Sequence, residues 1–277
     1  MLLTIAALTF GLTACNKNKT AVDDIEAAAA QNLNVAEAED DNVQTIADQA
    51  EATGDIANLR TTGNASVDLI TGCATVTKDS LSTPKKITID FGTTGCENRF
   101  GDIRRGKLIV TYTGRYDAVG TEIHITSDGY YVNQNKIDID RTITNIGENT
   151  SGNIEFSIQS QRVVTFPDGV TTRSITADKK REWIAGRNTP KDFSDDVYKV
   201  TGTATHTSKR GILYDVTTIT PLTRVVACHQ FVSGEVKIVR NGRVDRFGVI
   251  NFGNGDCDDV ATVTLDNGRV YNIDLHH

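Results

Sequence analysis

Ile137-Asp138-Ile139-Asp140 and Ile154-Glu155-Phe156-Ser157-Ile158 place an apolar side chain at every second residue and a polar one between. In an extended chain successive side chains point to opposite faces, so this period describes strands with one face in a core and the other in water. Working outward, the same period holds at Ile123 and Ile125 and at Val236 and Ile238, where the alternate neighbours are again polar. Asp128-Gly129, Asp168-Gly169, Asn241-Gly242 and Asn267-Gly268 lie between runs of this kind, and each pair tolerates positive φ and can close a tight hairpin. Four hairpin signals in sequence predict an all-β body, an antiparallel meander or sandwich-like arrangement. Pro84, Pro167, Pro190 and Pro221 are expected in loops or at strand ends, where a missing N–H is tolerated. No stretch after residue 60 combines a helical period with caps. Trp183 is expected to anchor a core or an edge rather than to cup a sugar ring.

Only 38% of the 277 residues are hydrophobic and 6% aromatic, so the core must be thin and built largely of Val and Ile. The charge is unevenly distributed. Residues 16–60 hold ten acids and three bases, a net of −7, which equals the net charge of the whole chain, so residues 61–277 are balanced at 26 of each sign. The acidic stretch has no aromatic residue and few large apolar ones, the composition of a solvated linker that the fold does not need. Its alternative is a marginal helix around Ile25 to Ala30 and Val43 to Ala52 that packs on a partner. The basic runs Lys85-Lys86, Arg104-Arg105, Lys179-Lys180-Arg181 and Lys209-Arg210 are short and scattered, and are expected at solvated strand ends or hairpin tips. With no basic face in prospect, nucleic acid is not an expected partner.

At the N-terminus, Leu2 to Leu12 is uncharged and apolar or small, too short for a bilayer core that needs ~20 residues and suited to the hydrophobic region of a signal peptide. Leu12-Thr13-Ala14-Cys15 follows and resembles the lipobox of bacterial lipoproteins. That resemblance implies a signal peptide over 1–14, diacylation of Cys15, and a mature chain held in the cell envelope by its lipid, at the outer membrane because Asn16 gives no inner-membrane retention signal. Residues 15–60 then form the lipid anchor and acidic linker, and residues 61–277 the body.

Cys73, Cys96, Cys228 and Cys257 remain, and an even number in an exported chain favours disulfides over a metal, for which no local ligand pairs occur. Ile89-Asp90-Phe91-Gly92 precedes Cys96 by the same gap as Ile250-Asn251-Phe252-Gly253 precedes Cys257. This agreement points to an internal duplication, with units of about 64–166 and 167–277, and to pairing within each unit, Cys73 with Cys96 and Cys228 with Cys257. Ile89-Asp90-Phe91-Gly92, Gly95-Cys96, Arg104-Arg105-Gly106-Lys107 and Val110-Thr111-Tyr112-Thr113-Gly114 together resemble a stretch of uncharacterised lipoproteins of Bacteroidota. The likeness covers about thirty residues and implies an extracytoplasmic β protein, with no catalytic residue or cofactor to carry over.

Chemistry-bearing constellations are sparse. Asp138 with Asp140 could project from one strand face as a carboxylate pair of a glycan hydrolase, and Asp256, Asp258 and Asp259 form a weak calcium candidate. His124, His206, His229, His276 and His277 fall in no catalytic motif. The leading expectation is a non-catalytic envelope module, either structural or binding an envelope protein or a glycan, with a secreted glycan hydrolase or a lipid or lipoprotein carrier as alternatives.

Overall fold

The computed structural model describes residue 30 and residues 42–47, 73–98, 101–189, 192–228, 230–258 and 260–275. It is nearly all β, as the alternation requires. The strands are β1 (Thr75–Asp79), β2 (Lys85–Asp90), β3 (Cys96–Glu97), β4 (Ile103–Tyr112), β5 (Glu122–Val132), β6 (Asn135–Glu148), β7 (Ile154–Thr165), β8 (Thr172–Ala185), β9 (Val197–Thr207), β10 (Leu213–Val225), β11 (Gln230–Arg240), β12 (Arg243–Asn254), β13 (Val260–Leu265) and β14 (Val270–Asp274). They form one antiparallel sheet in which neighbours in sequence are neighbours in space, from β1 to β14, with β3 alone set aside against the end of β4. The meander follows from the short connections, which can only join antiparallel neighbours.

One face of the sheet is buried along most of the central strands, and we call it the inner face. In β6 it carries Ile137, Ile139, Arg141, Ile143 and Asn145, all buried, while Asp138, Asp140 and Ile146 on the other face are exposed. The inner face holds two apolar clusters. One spans β1 to β7, from Ile87 and Ile89 through Leu108 and Ile125 to Phe156 and Val164, and the other runs from Ile175 of β8 to Ile273 of β14. The sheet itself runs unbroken between them, Ile154↔Trp183 to Thr165↔Thr172 being in continuous register.

The two Phe-Gly stretches adopt the same local geometry. Asp90 Oδ1 accepts from the Gly92 N–H at 2.8 Å and Asn251 Oδ1 from the Gly253 N–H at 2.8 Å. Phe91 and Phe252 then turn into their respective clusters. Both disulfides form within the units, Cys73–Cys96 with a Cα separation of 5.6 Å and Cys228–Cys257 with 5.5 Å. Each fastens the start of a hairpin, β1–β2 or β11–β12, to the segment that leaves its second strand.

Four expectations are corrected. Asp128-Gly129 is no hairpin tip but lies within β5, where the register shifts against β4 and a Cβ on Gly106 would stand 1.9 Å from Gly129 O. The β5–β6 turn falls instead at Asn133, whose φ of 57° an Asn tolerates. Pro221 sits inside β10, where register shifts against β9 and β11 leave its missing N–H without cost to the ladder. Of the basic runs, Arg104 and Arg181 are buried on the inner face rather than solvated; Arg104 donates to the Tyr130 hydroxyl. Finally, residues 42–47 are helical, and Val43, Ile46 and Ala47 are buried in the first apolar cluster. These positions are spaced i, i+3, i+4 and so share one helix face. Burying Val43 and Ile46 contributes about 1.5 to 3 kcal/mol each, which outweighs the acidic composition around them. The partner foreseen for a marginal helix is the chain's own sheet.

Candidate binding groove

On the outer face, five long strands from β6 to β10 frame a groove of about 780 Å³. Its floor is two parallel rows of side chains, each contributed by every strand in turn. The first is Asp140, Gln161, Thr176, Thr205 and Asp215; the second is Thr142, Gln159, Asp178, Thr203 and Thr217. The rows arise because strand registers bring the same outward phase into line. Threonine suits these positions, since a β-branched side chain packs well on a pleated surface and still presents a hydroxyl. Gly202 allows β9 to approach β8 closely here: its φ is 143°, and a Cβ would lie 2.3 Å from Asp178 O.

The two rows are polar, and the groove's lining, which also includes Ala177, Ala204 and Val216, holds three carboxylates but no Lys or Arg. Asp140 accepts from or pairs with His124 Nε2 at 2.8 Å, and Asp215 accepts from Asn241 Nδ2 at 3.3 Å. With strands about 4.8 Å apart, Asp140 and Asp215 are separated by about 19 Å, and Asp178 stands about 10 Å or more from either. Glycoside hydrolysis sets two carboxyls about 5 to 10 Å apart across the bond to be broken, so this layout supplies hydrogen-bonding contacts rather than an acid and base pair. The hydroxyls, amides and carboxylates match a ligand rich in hydroxyl groups and repel an anionic one.

No family model matches the chain, nor does any curated protein or any solved structure. What the groove does must therefore be argued from its own chemistry.

The residues singled out in the sequence fall elsewhere, apart from Asp140. Asp138 is exposed and its carboxylate is held by Lys136 Nζ at 2.7 Å, one ion pair along from the Asp140–His124 contact on the same strand face. Asp256 and Asp258 are exposed, and Asp258 Oδ1 accepts from the Val260 N–H at 3.3 Å, closing the turn into β13. Asp259 lies outside the described residues, as do Cys15, His229, Pro190, His276 and His277; among the described residues no three metal-ligating side chains gather. Trp183 packs edge-on to Tyr116 and stacks on Tyr198, with its Nε1 donating to Asp196 Oδ1 at 3.0 Å, a core anchor rather than a sugar platform. Cavities at the inner face beside Lys179 and beside Thr45 hold about 20 Å³ each, far below the roughly 300 Å³ of a small-molecule pocket.

Sequence reading missed Thr142, Gln159, Gln161, Thr176, Asp178, Thr203, Thr205, Asp215 and Thr217. A signal existed in the polar phase of five consecutive runs, dominated by Thr, Gln and Asp, but only the register shows that they align.

Proposed function

We propose that the protein is a lipid-anchored envelope module that acts without catalysis and binds a neutral glycan in the groove crossing β6 to β10. The observation that carries this reading is the pair of aligned Thr, Gln and Asp rows, ten side chains long in total, on an exposed face. Vicinal hydroxyls of a sugar both donate and accept, so carboxylates, amides and hydroxyls in a regular array satisfy them, and an open trough admits an extended chain. Cys15 and the lipobox would hold the module at a membrane, and two disulfides suit an oxidising compartment.

A glycan array followed by calorimetry on the best ligand tests the reading. Asp178→Ala and Thr203→Val should each weaken binding about fivefold or more, because one hydrogen bond to a charged or well-placed polar group contributes about 1 to 3 kcal/mol. Both positions are exposed, so the fold should be unaffected. Binding that ignores both substitutions, or no binding to any neutral glycan, would sink the proposal.

A further inference from the structure

The two outward rows of the groove are regular as well as polar. From Asp140↔Gln161 and Thr142↔Gln159 through to Asp215↔Thr205 and Thr217↔Thr203 the pairing continues without a register shift, so both rows run straight across β6 to β10. On β11 the same two lines meet Val239 and Lys237, and towards β5 the Asp140–His124 contact at 2.8 Å closes the other end. The polar track therefore has one position per row on each of five strands. Asp140 and Asp215 are engaged by His124 and Asn241, whereas among the described residues the other eight side chains of the rows make no side-chain hydrogen bond, which leaves their donors and acceptors to a ligand. Ser160, Ala177, Ala204 and Val216 line the strip between the rows with their side chains buried on the inner face, so that strip is bare peptide backbone.

We infer, resting on the reading that the groove binds a neutral glycan, that its ligand is a single extended chain of β-1,4-linked sugars lying across the strands, one sugar over each of β6 to β10. Neighbouring strands are about 4.8 Å apart, and an all-equatorial β-1,4 linkage advances the chain by close to that distance per sugar, so each ring meets the same pair of rows as its neighbour. The rows stand two residues apart on every strand, about 6.8 Å, a spacing that suits the hydroxyls on both edges of one pyranose ring lying over the backbone strip. Successive sugars of such a chain are flipped, so each row meets the two ring edges alternately. Accordingly neither row is specialised, and Thr, Gln and Asp occur in both. Strands in a sheet rotate by about 20 to 25° from one to the next, which a single chain follows through its glycosidic torsions and a packed crystalline surface does not. An α-1,4 or β-1,3 linkage curves the chain and carries its hydroxyls off the rows within a few sugars.

Calorimetry of the full-length mature chain with β-1,4-linked gluco- and manno-oligosaccharides of two to six sugars tests this. Affinity should rise about threefold or more with each sugar up to the fifth, as each adds hydrogen bonds, and level off at the sixth. The α-1,4 and β-1,3 glucose pentamers should bind at least about tenfold more weakly. Asp140→Ala and Asp215→Ala, at opposite ends of the track, should each weaken the β-1,4 pentamer about fivefold, the loss of one hydrogen bond, and leave the dimer unaffected. Binding of a neutral glycan with no preference for the β-1,4 linkage, no gain beyond two sugars, or no loss on substitution at either end would overturn the inference and leave the neutral-glycan reading standing. No binding to any neutral oligosaccharide would remove both.

Discussion

His206 shows how a single position in the inner-face phase of its strand acquires an unusual property. It is 1% exposed and stacks on Tyr214 at 6.3 Å between ring centroids. Burial above all, then Arg173 and Arg162, holds its imidazole down at about 4 from the ordinary 6.5. The folded protein therefore keeps His206 neutral over a range in which the unfolded chain takes up a proton. Stability from this source is complete above pH 6.5 and falls as pH drops from 6.5 towards 4, on the order of 3 kcal/mol at about 1.4 kcal/mol per pH unit. His206→Phe keeps a ring beside Tyr214 and cannot be protonated, so its urea midpoint should decline less than that of the parent between pH 6.5 and 5. Parallel declines would show that the histidine is not the source. The phase of Tyr198, Val200 and Ala204, which His206 continues, could have flagged it as inward-facing, but its chemistry depends on Arg162 and Arg173 from two other strand positions.

At the scale of elements, the disulfides and the helix through residues 42–47 contrast. Each bridge closes a local loop, of 23 or 29 residues in separation, at the open end of its own hairpin. Reading the cysteine spacing beside the Phe-Gly repeats is enough to pair them, because the constraint is local in the chain. Cys73→Ala/Cys96→Ala should cost about 2 to 5 kcal/mol in denaturant unfolding, while non-reducing peptide mapping still finds Cys228 joined to Cys257; scrambling of the second bridge would show that the two are not independent. The helix is a different case. Its three apolar positions are visible in the sequence, yet an acidic stretch of this composition reads as solvated. Only the presence of a buried face with room for Val43 and Ile46 reverses that reading.

The strands of the described residues form a single sheet with a buried face and a watery one, whose two edge strands of five residues each are short enough to offer little template for a further chain. Among the described residues no helix is long and apolar enough to cross a membrane, and the proposed attachment is through the lipid on Cys15. Cys15→Ala should move the exported protein from the membrane pellet to the soluble fraction, and persistence of the variant in membranes at high salt would refute the anchor. By itself the sequence determined the all-β meander, the inward and outward phase of the runs at Ile123, Ile137, Ile154 and Val236, and the cysteine pairs, because all three are set by local period or by short covalent spans. The groove and the inward turn of Arg104 and Arg181 were decided only by tertiary structure. Strand register alone brings Thr142, Asp178 and Thr217 into one row across 75 residues of chain, a long-range alignment that no local pattern can express.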